Sequence, residues 1–361
     1  MRSDRLIPID LGDLPEPIIV APMAGGPSCP ALVGAAGRAG ALGMLAAGYK
    51  QPSAVRAEIA EVRALTDAPF GVNVFAHTRR PVDRARLDRY VSELTVETER
   101  YGASIGAPVD DDDQFDAKIE MLCQDPVPVV SFAFGQPASD IVAALRARGT
   151  LVLVTVNTVE EADSAVAAGV DGLVVQGREA GAHQGGASDA SGATEFGLLA
   201  LLRLVSSRTD VPLVAAGGIA DGAAVAAVLA AGAVAAQMGT AFLRCVEAGT
   251  NPVHRAEIGG PRQTVLTRAF TGRRARALVN DFVTSWAGRD VPSAYPQIHH
   301  MTTPMRRKAL SDADPERVAL WAGQTHHLAR EAPAGDLVRR LGAEARLALW
   351  STARRLGPPA P

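Results

Sequence analysis

The chain is short of several things, and each shortage excludes something. Only three of its 361 residues are cysteine: Cys29, Cys123 and Cys245. They are widely separated and form no CxxC pair, which argues against a zinc ribbon or a disulfide framework and points to a reducing, cytoplasmic compartment. Aromatic residues make up 4% of the sequence, too few for a base-stacking surface. The formal net charge is -3, so neither nucleic acid nor an anionic membrane surface is an expected partner. No apolar run approaches the ~20 residues of a membrane span. The opening MRSDRLIPIDLGDLPEPIIV lacks the apolar core of a signal peptide. No His/Asp/Glu set has metal-ligand spacing, so no metal is expected.

What the chain does have is rhythm. Short apolar runs occur at 17–22, 41–48, 69–75, 127–134, 151–156, 171–177, 211–218 and 233–239. Helical patterns separate most of them, at 28–40, 52–67, 137–148, 157–169, 196–208 and 221–232, with a last helix expected from Thr240. Thr158 and Glu161 have capping-box spacing at one helix start. The strands are continuously apolar, as when both faces are covered. Eight β/α units in roughly 250 residues is the count of a (β/α)8 TIM barrel. An open doubly wound sheet is the runner-up, but no GxGxxG follows the first strand.

Two segments break the rhythm. The polar stretch 76–113 reads as a small insertion, ending in an acidic run at 110–113 that is expected to be solvated and close to a helix start. The tail 251–361 reads as a mostly helical C-terminal appendage packed on the barrel, with helices at 305–311, 315–331 and 335–356, lining or covering the pocket, and a frayed GPPAP end. Its basic stretch 254–278 reads as a solvated face or as the contact between copies of a homodimer.

In such a barrel, function sits at the carboxyl ends of the strands. The seventh ends in AAGGI, with Gly217 and Gly218, and the eighth in Gln237-Met238-Gly239-Thr240. Glycine admits positive φ and lets backbone N–H groups approach phosphate oxygens. A phosphate site after these two strands is expected. Met23, Asn73 and Gln176 end other strands with apolar or amide groups, and amides suit the edge of a heterocycle. Ala21-Pro22-Met23 offers unbranched backbone for a flat ring to lie against. The inventory fits a phosphorylated flavin, FMN, better than a sugar phosphate. After the sixth strand comes GREAGAHQGG (177–186), which sets His183 among glycines, and a neutral imidazole is a suitable base at neutral pH.

These stretches resemble the nitronate monooxygenases, formerly called 2-nitropropane dioxygenases. APMAGGPSCPALVGAAGRAGALG (21–43), FGVNVF (70–75), VSFAFG (130–135) and GREAGAHQGG match, in order, motifs of the first class of that family. AAGGI…QMGTAF (215–242), YPQIHHMTTPMRRKA (295–309) and LWAGQ (320–324) extend the match into the tail. The resemblance implies a TIM barrel with non-covalent FMN and a homologous catalytic histidine, His183. It implies FMN contacts at Asn73, Gln176, Gly181, Gly218 and the Gln237–Thr240 run, with Met23 and its neighbours beside the ring. The implied reaction takes a nitronate or nitroalkane and O2 to a carbonyl compound and nitrite, with substrates of the propionate 3-nitronate kind. Tyr295 and Lys308 are the polar residues of the matching tail that would meet substrate. The chain departs from the family's Gly-Gly-His-Arg-Gly by reading Gly181-Ala182-His183-Gln184-Gly185.

Relatives on this flavin barrel include NAD(P)H-dependent quinone and enoyl reductases, so reduction is the alternative activity and a flavin-binding protein without turnover the third. The other histidines, His77, His254, His299, His300, His326 and His327, read as surface or structural. Arg178 and Glu179 read as a pair, or as partners of the insertion, rather than as catalytic groups.

Overall fold

The computed structural model describes residues 9–76, 81–189 and 195–357. In chain order the elements are β1 (Ile18–Val20), α1 (Pro30–Arg38), β2 (Leu42–Ala46), α2 (Pro52–Leu65), β3 (Phe70–Phe75), α3 (Arg84–Arg100), α4 (Phe115–Gln124), β4 (Val129–Ala133), α5 (Ser139–Arg146), β5 (Leu151–Val156), α6 (Val159–Ala167) and β6 (Gly172–Gln176). There follow β7 (Ala182–His183), α7 (Leu198–Ser206), β8 (Leu213–Ala216), α8 (Gly222–Ala230), β9 (Ala235–Met238), α9 (Pro252–Glu257), β10 (Thr264–Thr267), β11 (Ala275–Leu278), α10 (Asp281–Ser285), α11 (Gln297–Ser311) and α12 (Ala334–Leu356).

Eight parallel strands close into a barrel in the order β1-β2-β3-β4-β5-β6-β8-β9, and β9 returns to β1 through Ile18↔Ala236, Ile19↔Gln237 and Val20↔Met238. The expected (β/α)8 architecture is the one found. The continuous apolar runs follow from burial on both faces. Ile19, Met44, Val129, Leu153, Val174 and Val214 fill the barrel interior as one cluster, while Ile18, Val20, Val72, Val130 and Val152 join the larger core beneath the helices.

Local chemistry starts the helices where the sequence placed them. Proline stands in the first turn of α1 and α2, and Asp221 caps α8 by accepting from the Ala224 N–H. Thr158 caps α6, accepting from the Glu161 N–H at 3.2 Å. The Glu161 carboxylate turns elsewhere, to the N–H groups of Asn157 (2.7 Å) and Ser188 (2.8 Å). It ties the helix start to the loop after β6.

Three expectations change. No α-helix begins at Thr240: a single 3-10 turn, Thr240–Phe242, stands there. The outer helix packed on α8 and α1 is instead α12, whose Leu337, Val338 and Leu341 belong to the main core. Residues 315–331 are not a helix; two 3-10 turns (Pro315–Arg317 and His326–Leu328) flank an extended segment. The tail is also not all helix, because β10 and β11 form an antiparallel hairpin and β11 pairs on with β7. Arginines at alternate positions hid that hairpin in the sequence. The insertion carries a long helix, α3, whose Leu87, Tyr90 and Leu94 pack with Phe270, Phe282 and Trp286 of the tail in a separate core. His77 and the last four residues of the GPPAP end lie outside the described residues.

Tyr90 joins the two irregular segments. Its ring is buried and its hydroxyl donates to the Ala269 carbonyl at 2.8 Å. Tyr90→Phe is expected to cost about 1–2 kcal/mol and Tyr90→Ala about 3–5 kcal/mol, read as shifts in the urea unfolding midpoint.

Candidate active site

A cavity of about 340 Å³ opens at the carboxyl ends of the barrel strands. Its walls bring together residues that the sequence scatters over the ends of all eight barrel strands and the tail. Ala21, Pro22 and Met23 come from the end of β1, and Ser28 holds this turn by accepting the Met23 N–H at 2.8 Å. Asn73 lies within β3, buried, with its amide donating to the Ser131 hydroxyl at 2.9 Å. Gly217 (φ +111) and Gly218 (φ +69) turn the chain after β8 through conformations that L residues rarely take. A Cβ at Gly217 would stand 3.1 Å from the Gly177 oxygen, so this turn packs directly on the loop after β6. Gln237, Met238, Gly239 and Thr240 line the adjoining wall, where the Thr240 hydroxyl accepts from the Gly323 N–H at 3.0 Å.

The loop after β6 is built from outside itself. Gln176 anchors its base: its side-chain oxygen accepts from the Gly185 N–H (2.7 Å) and Asn157 (2.9 Å), and its amide donates to the His183 carbonyl (3.3 Å). Glu179 accepts from the Leu198 N–H at the start of α7, while Arg178 pairs with Glu195 at 3.3 Å. Neither reaches the cavity chemistry. Gly181 is required by close approach, since a Cβ there would lie 2.5 Å from the Gly323 nitrogen. Ala182, where the family has glycine, sits at φ +61. The β7–β11 pairing (Ala275↔His183, Arg276↔Ala182) holds it there.

Here the reading of 254–278 as a solvated face is corrected for its second half, where Arg273 and Arg276 are buried. Three of its arginines, Arg268, Arg273 and Arg276, reach the loop after β6. Arg268 donates to the Asp189 carboxylate at 2.9 Å, and Arg276 to the Arg178 carbonyl at 2.8 Å. Arg273 donates to the carbonyls of Gln184 (3.2 Å) and Gly186, and lies 4.3 Å over the Phe134 ring. Where the family motif has arginine the chain has Gln184; the cation beside the histidine is supplied from this hairpin.

His183 faces the cavity among Phe134 (ring centroids 5.5 Å), Tyr295 (5.7 Å) and Trp321 (5.4 Å). Its Nε2 is 2.9 Å from the Thr271 hydroxyl. Burial, reinforced by the Arg273 charge, pushes its pKa down to about 3, so the ring is neutral at ordinary pH. Opposite stands Arg306, held by the His299 carbonyl (2.8 Å) and the Thr303 and Thr302 hydroxyls (2.9 and 3.1 Å). Among the described residues no carboxylate lies within 4 Å of it. Burial lowers its pKa to about 10, which leaves it charged. An uncompensated cation in a largely apolar cavity is a site for an anion.

The sequence reading located most of this wall and missed part. Tyr295 contacts His183, but Lys308 lies outside the cavity: its ammonium pairs with Asp312 at 2.5 Å, one helical turn on. Arg306, two positions earlier, faces the cavity instead. Tyr49 was missed because the strand end was read only to Gly48. Its ring stacks on His299 (4.3 Å, 3° between planes), and the Tyr295 hydroxyl donates to the Tyr49 hydroxyl at 3.1 Å. Of the histidines read as surface or structural, His299 and His254 line the cavity. His254 is buried and its Nε2 meets the Trp321 carbonyl at 2.8 Å, a packing role beside the cavity. Buried His326 and surface-facing His327 fit the earlier reading, while His300 pairs with Asp111 at 2.8 Å. Among the described residues no cluster of three His, Cys, Asp or Glu could hold a metal, and no helix is long and apolar enough to cross a membrane.

Comparison with known proteins gives a consistent picture. A family model described as nitronate monooxygenase matches residues 11–344. A nitronate monooxygenase of Pseudomonas aeruginosa is 41% identical over 96% of this chain and 99% of its own. The crystal structure of a nitroalkane oxidase from Streptomyces ansochromogenes is 48% identical, covers 95% of this chain and 99% of its own, and superposes with a TM-score of 0.92. A FabK structure from Thermotoga maritima is more distant, at 28% identity and a TM-score of 0.76, covering 96% of this chain and 98% of its own.

The neutral histidines also fix a pH response. Burial lowers the pKa of His183 to about 3, of His254 to about 4 and of His299 to about 2. Below the unfolded value near 6.5 the unfolded chain binds protons that the folded chain refuses, so stability falls as pH falls. The three together are expected to contribute up to about 4 kcal/mol per pH unit between about pH 6 and pH 4. Urea midpoints measured across that range check it, and the three-way Gln variant should flatten the slope.

Proposed function

Since the chain belongs to the nitronate monooxygenase family and is an oxidoreductase of that kind, we propose that it uses FMN and O2 to oxidise alkyl nitronates of the propionate 3-nitronate kind to a carbonyl compound and nitrite. The observation that carries this reading is the Arg306 cation, uncompensated among the described carboxylates, in the same cavity as a neutral His183. A nitronate is an anion with its negative charge spread over planar O–N–O, which a guanidinium complements.

The residues present fit FMN. The positive-φ glycines 217 and 218 and the Gly239-Thr240 turn offer backbone donors and a hydroxyl for a phosphate. Asn73, fixed on Ser131, presents an amide edge, and Ala21-Pro22-Met23 an unbranched face for a flat ring. Gln176 acts one step back, positioning the loop, because both ends of its amide are engaged. FMN would supply the redox chemistry and the chain the orientation, the desolvation and the charge.

His183 is the base for substrates that arrive as neutral nitroalkanes. Its ring is unprotonated at any pH above about 3, but the imidazolium formed on accepting a proton is opposed by burial and Arg273. Nitronates, which need no proton removed, are therefore the better substrates. Reduction by NAD(P)H, the activity of other enzymes on this barrel, is the second reading; the FabK likeness is what favours it.

Oxygen uptake with propionate 3-nitronate and no nicotinamide is the expected result, and rapid anaerobic bleaching of the flavin by NADH would favour the reductase instead. His183→Asn should keep the flavin and lose activity on neutral nitroalkanes by about 100-fold or more. Arg306→Met should raise the KM for nitronates by about 10- to 100-fold while retaining flavin. Equal turnover of nitronates by wild type and Arg306→Met would remove the cation from the mechanism.

A further inference from the structure

The acidic run 110–113 was expected to be solvated, and α4 does begin just beyond it. Two of its carboxylates nonetheless do something else. Asp113 accepts the Tyr49 N–H at 2.9 Å, and its other oxygen is 2.6 Å from Lys118, whose side chain is fully buried. Asp111 pairs with His300 at 2.8 Å, next to the His299 ring that stacks on Tyr49. The same segment is sewn to α11 by the Gly106 N–H, which donates to the Met301 carbonyl at 2.9 Å.

Tyr49 needs such support. It holds φ +65, a left-handed conformation uncommon for a bulky residue. Its ring and that of His299 form one wall of the cavity, yet they come from different elements, the end of β2 and helix α11. A short segment with a carboxylate on each side can hold the two at a fixed spacing.

We propose that Asp113 and Asp111 form a clip that sets the position of the Tyr49–His299 wall and thereby selects nitronates by the size of their carbon chain. Both are positioning residues: neither touches the reacting atoms, Asp113 acts through the Tyr49 backbone N–H, and Asp111 acts through His300 beside His299. The selectivity rests on the nitronate-oxidising reading above; the clip itself does not.

The test uses the flavin-loaded full chain and two double variants. Lys118→Met with Asp113→Asn removes the buried charge pair but keeps an oxygen for the Tyr49 N–H. Lys118→Met with Asp113→Ala removes that oxygen too. Flavin content and melting temperature establish that both are folded. In the alanine variant, amide hydrogen exchange at Tyr49 should accelerate about tenfold or more. Its KM for ethyl nitronate should rise about tenfold with kcat within about twofold, and kcat/KM should shift about fivefold toward hexyl nitronate. The asparagine variant should retain the wild-type preference, and Asp111→Ala should give a weaker shift of about threefold. Unchanged Tyr49 exchange in the alanine variant would overturn the clip. Faster exchange with an unchanged chain-length preference would overturn its role in selection. A wild-type protein that oxidises no nitronate would overturn the functional reading, while the exchange measurement would still decide whether the clip exists.

Discussion

The site depends on a pairing two residues long. His183 stands on β7, and β7 exists as a strand because β11 of the tail lies beside it. Without that edge, Ala182 would have no reason to hold φ +61, and the loop after β6 would carry its histidine on glycines alone. Around the pairing, Arg268, Arg273 and Arg276 each grip the loop through a backbone carbonyl or Asp189. Charge-assisted bonds to carbonyls are stronger than neutral ones, and they leave little room for the loop to shift. The barrel supplies the floor of the cavity; the tail supplies the grip on the loop that carries His183.

That arrangement explains the electrostatics of the cavity. Burial is the main cause that keeps the His183 imidazole neutral, and Arg273, one of the arginines that fix the loop, adds a positive charge beside it. Arg306 on α11 adds a cation that no described carboxylate offsets. A neutral proton acceptor among cations is poor at stabilising its own protonated form, and good at receiving a substrate that is already an anion. The departure at Gln184 belongs to the same logic. A charge missing from the motif is present in space, carried by Arg273 from a segment 89 residues away.

Much of this was legible in the sequence because it is local. Apolar runs of strand length alternating with helical spacing give a closed barrel, since burial on both faces leaves each strand no polar face to alternate with. The glycine turns after β8 and β9, the amides at strand ends and His183 in its loop all follow from the rule that barrel chemistry sits at the carboxyl ends of strands. The histidine pairs were harder. Adjacent residues on a helix point apart, so His299 could enter the cavity while His300 turned to Asp111. Lys308 and Arg306 show the same limit, because residues two positions apart on a helix differ by about 200° in direction and nothing local says which one faces in.

What the sequence alone determined, then, was the architecture and the set of groups at the strand ends, because periodicity and turn chemistry act between near neighbours. What only the tertiary structure decided was which distant segments close the site. The hairpin 264–278 read as a basic surface because its arginines are far along the chain from the carbonyls they bind. Tyr49 drew no notice and the acidic run read as solvated charge because Asp113 meets Tyr49 across 64 residues, and Asp111 meets His300 from the far end of the chain. Long-range hydrogen bonds leave no period in a sequence; they become visible only when the fold brings donor and acceptor within about 3 Å.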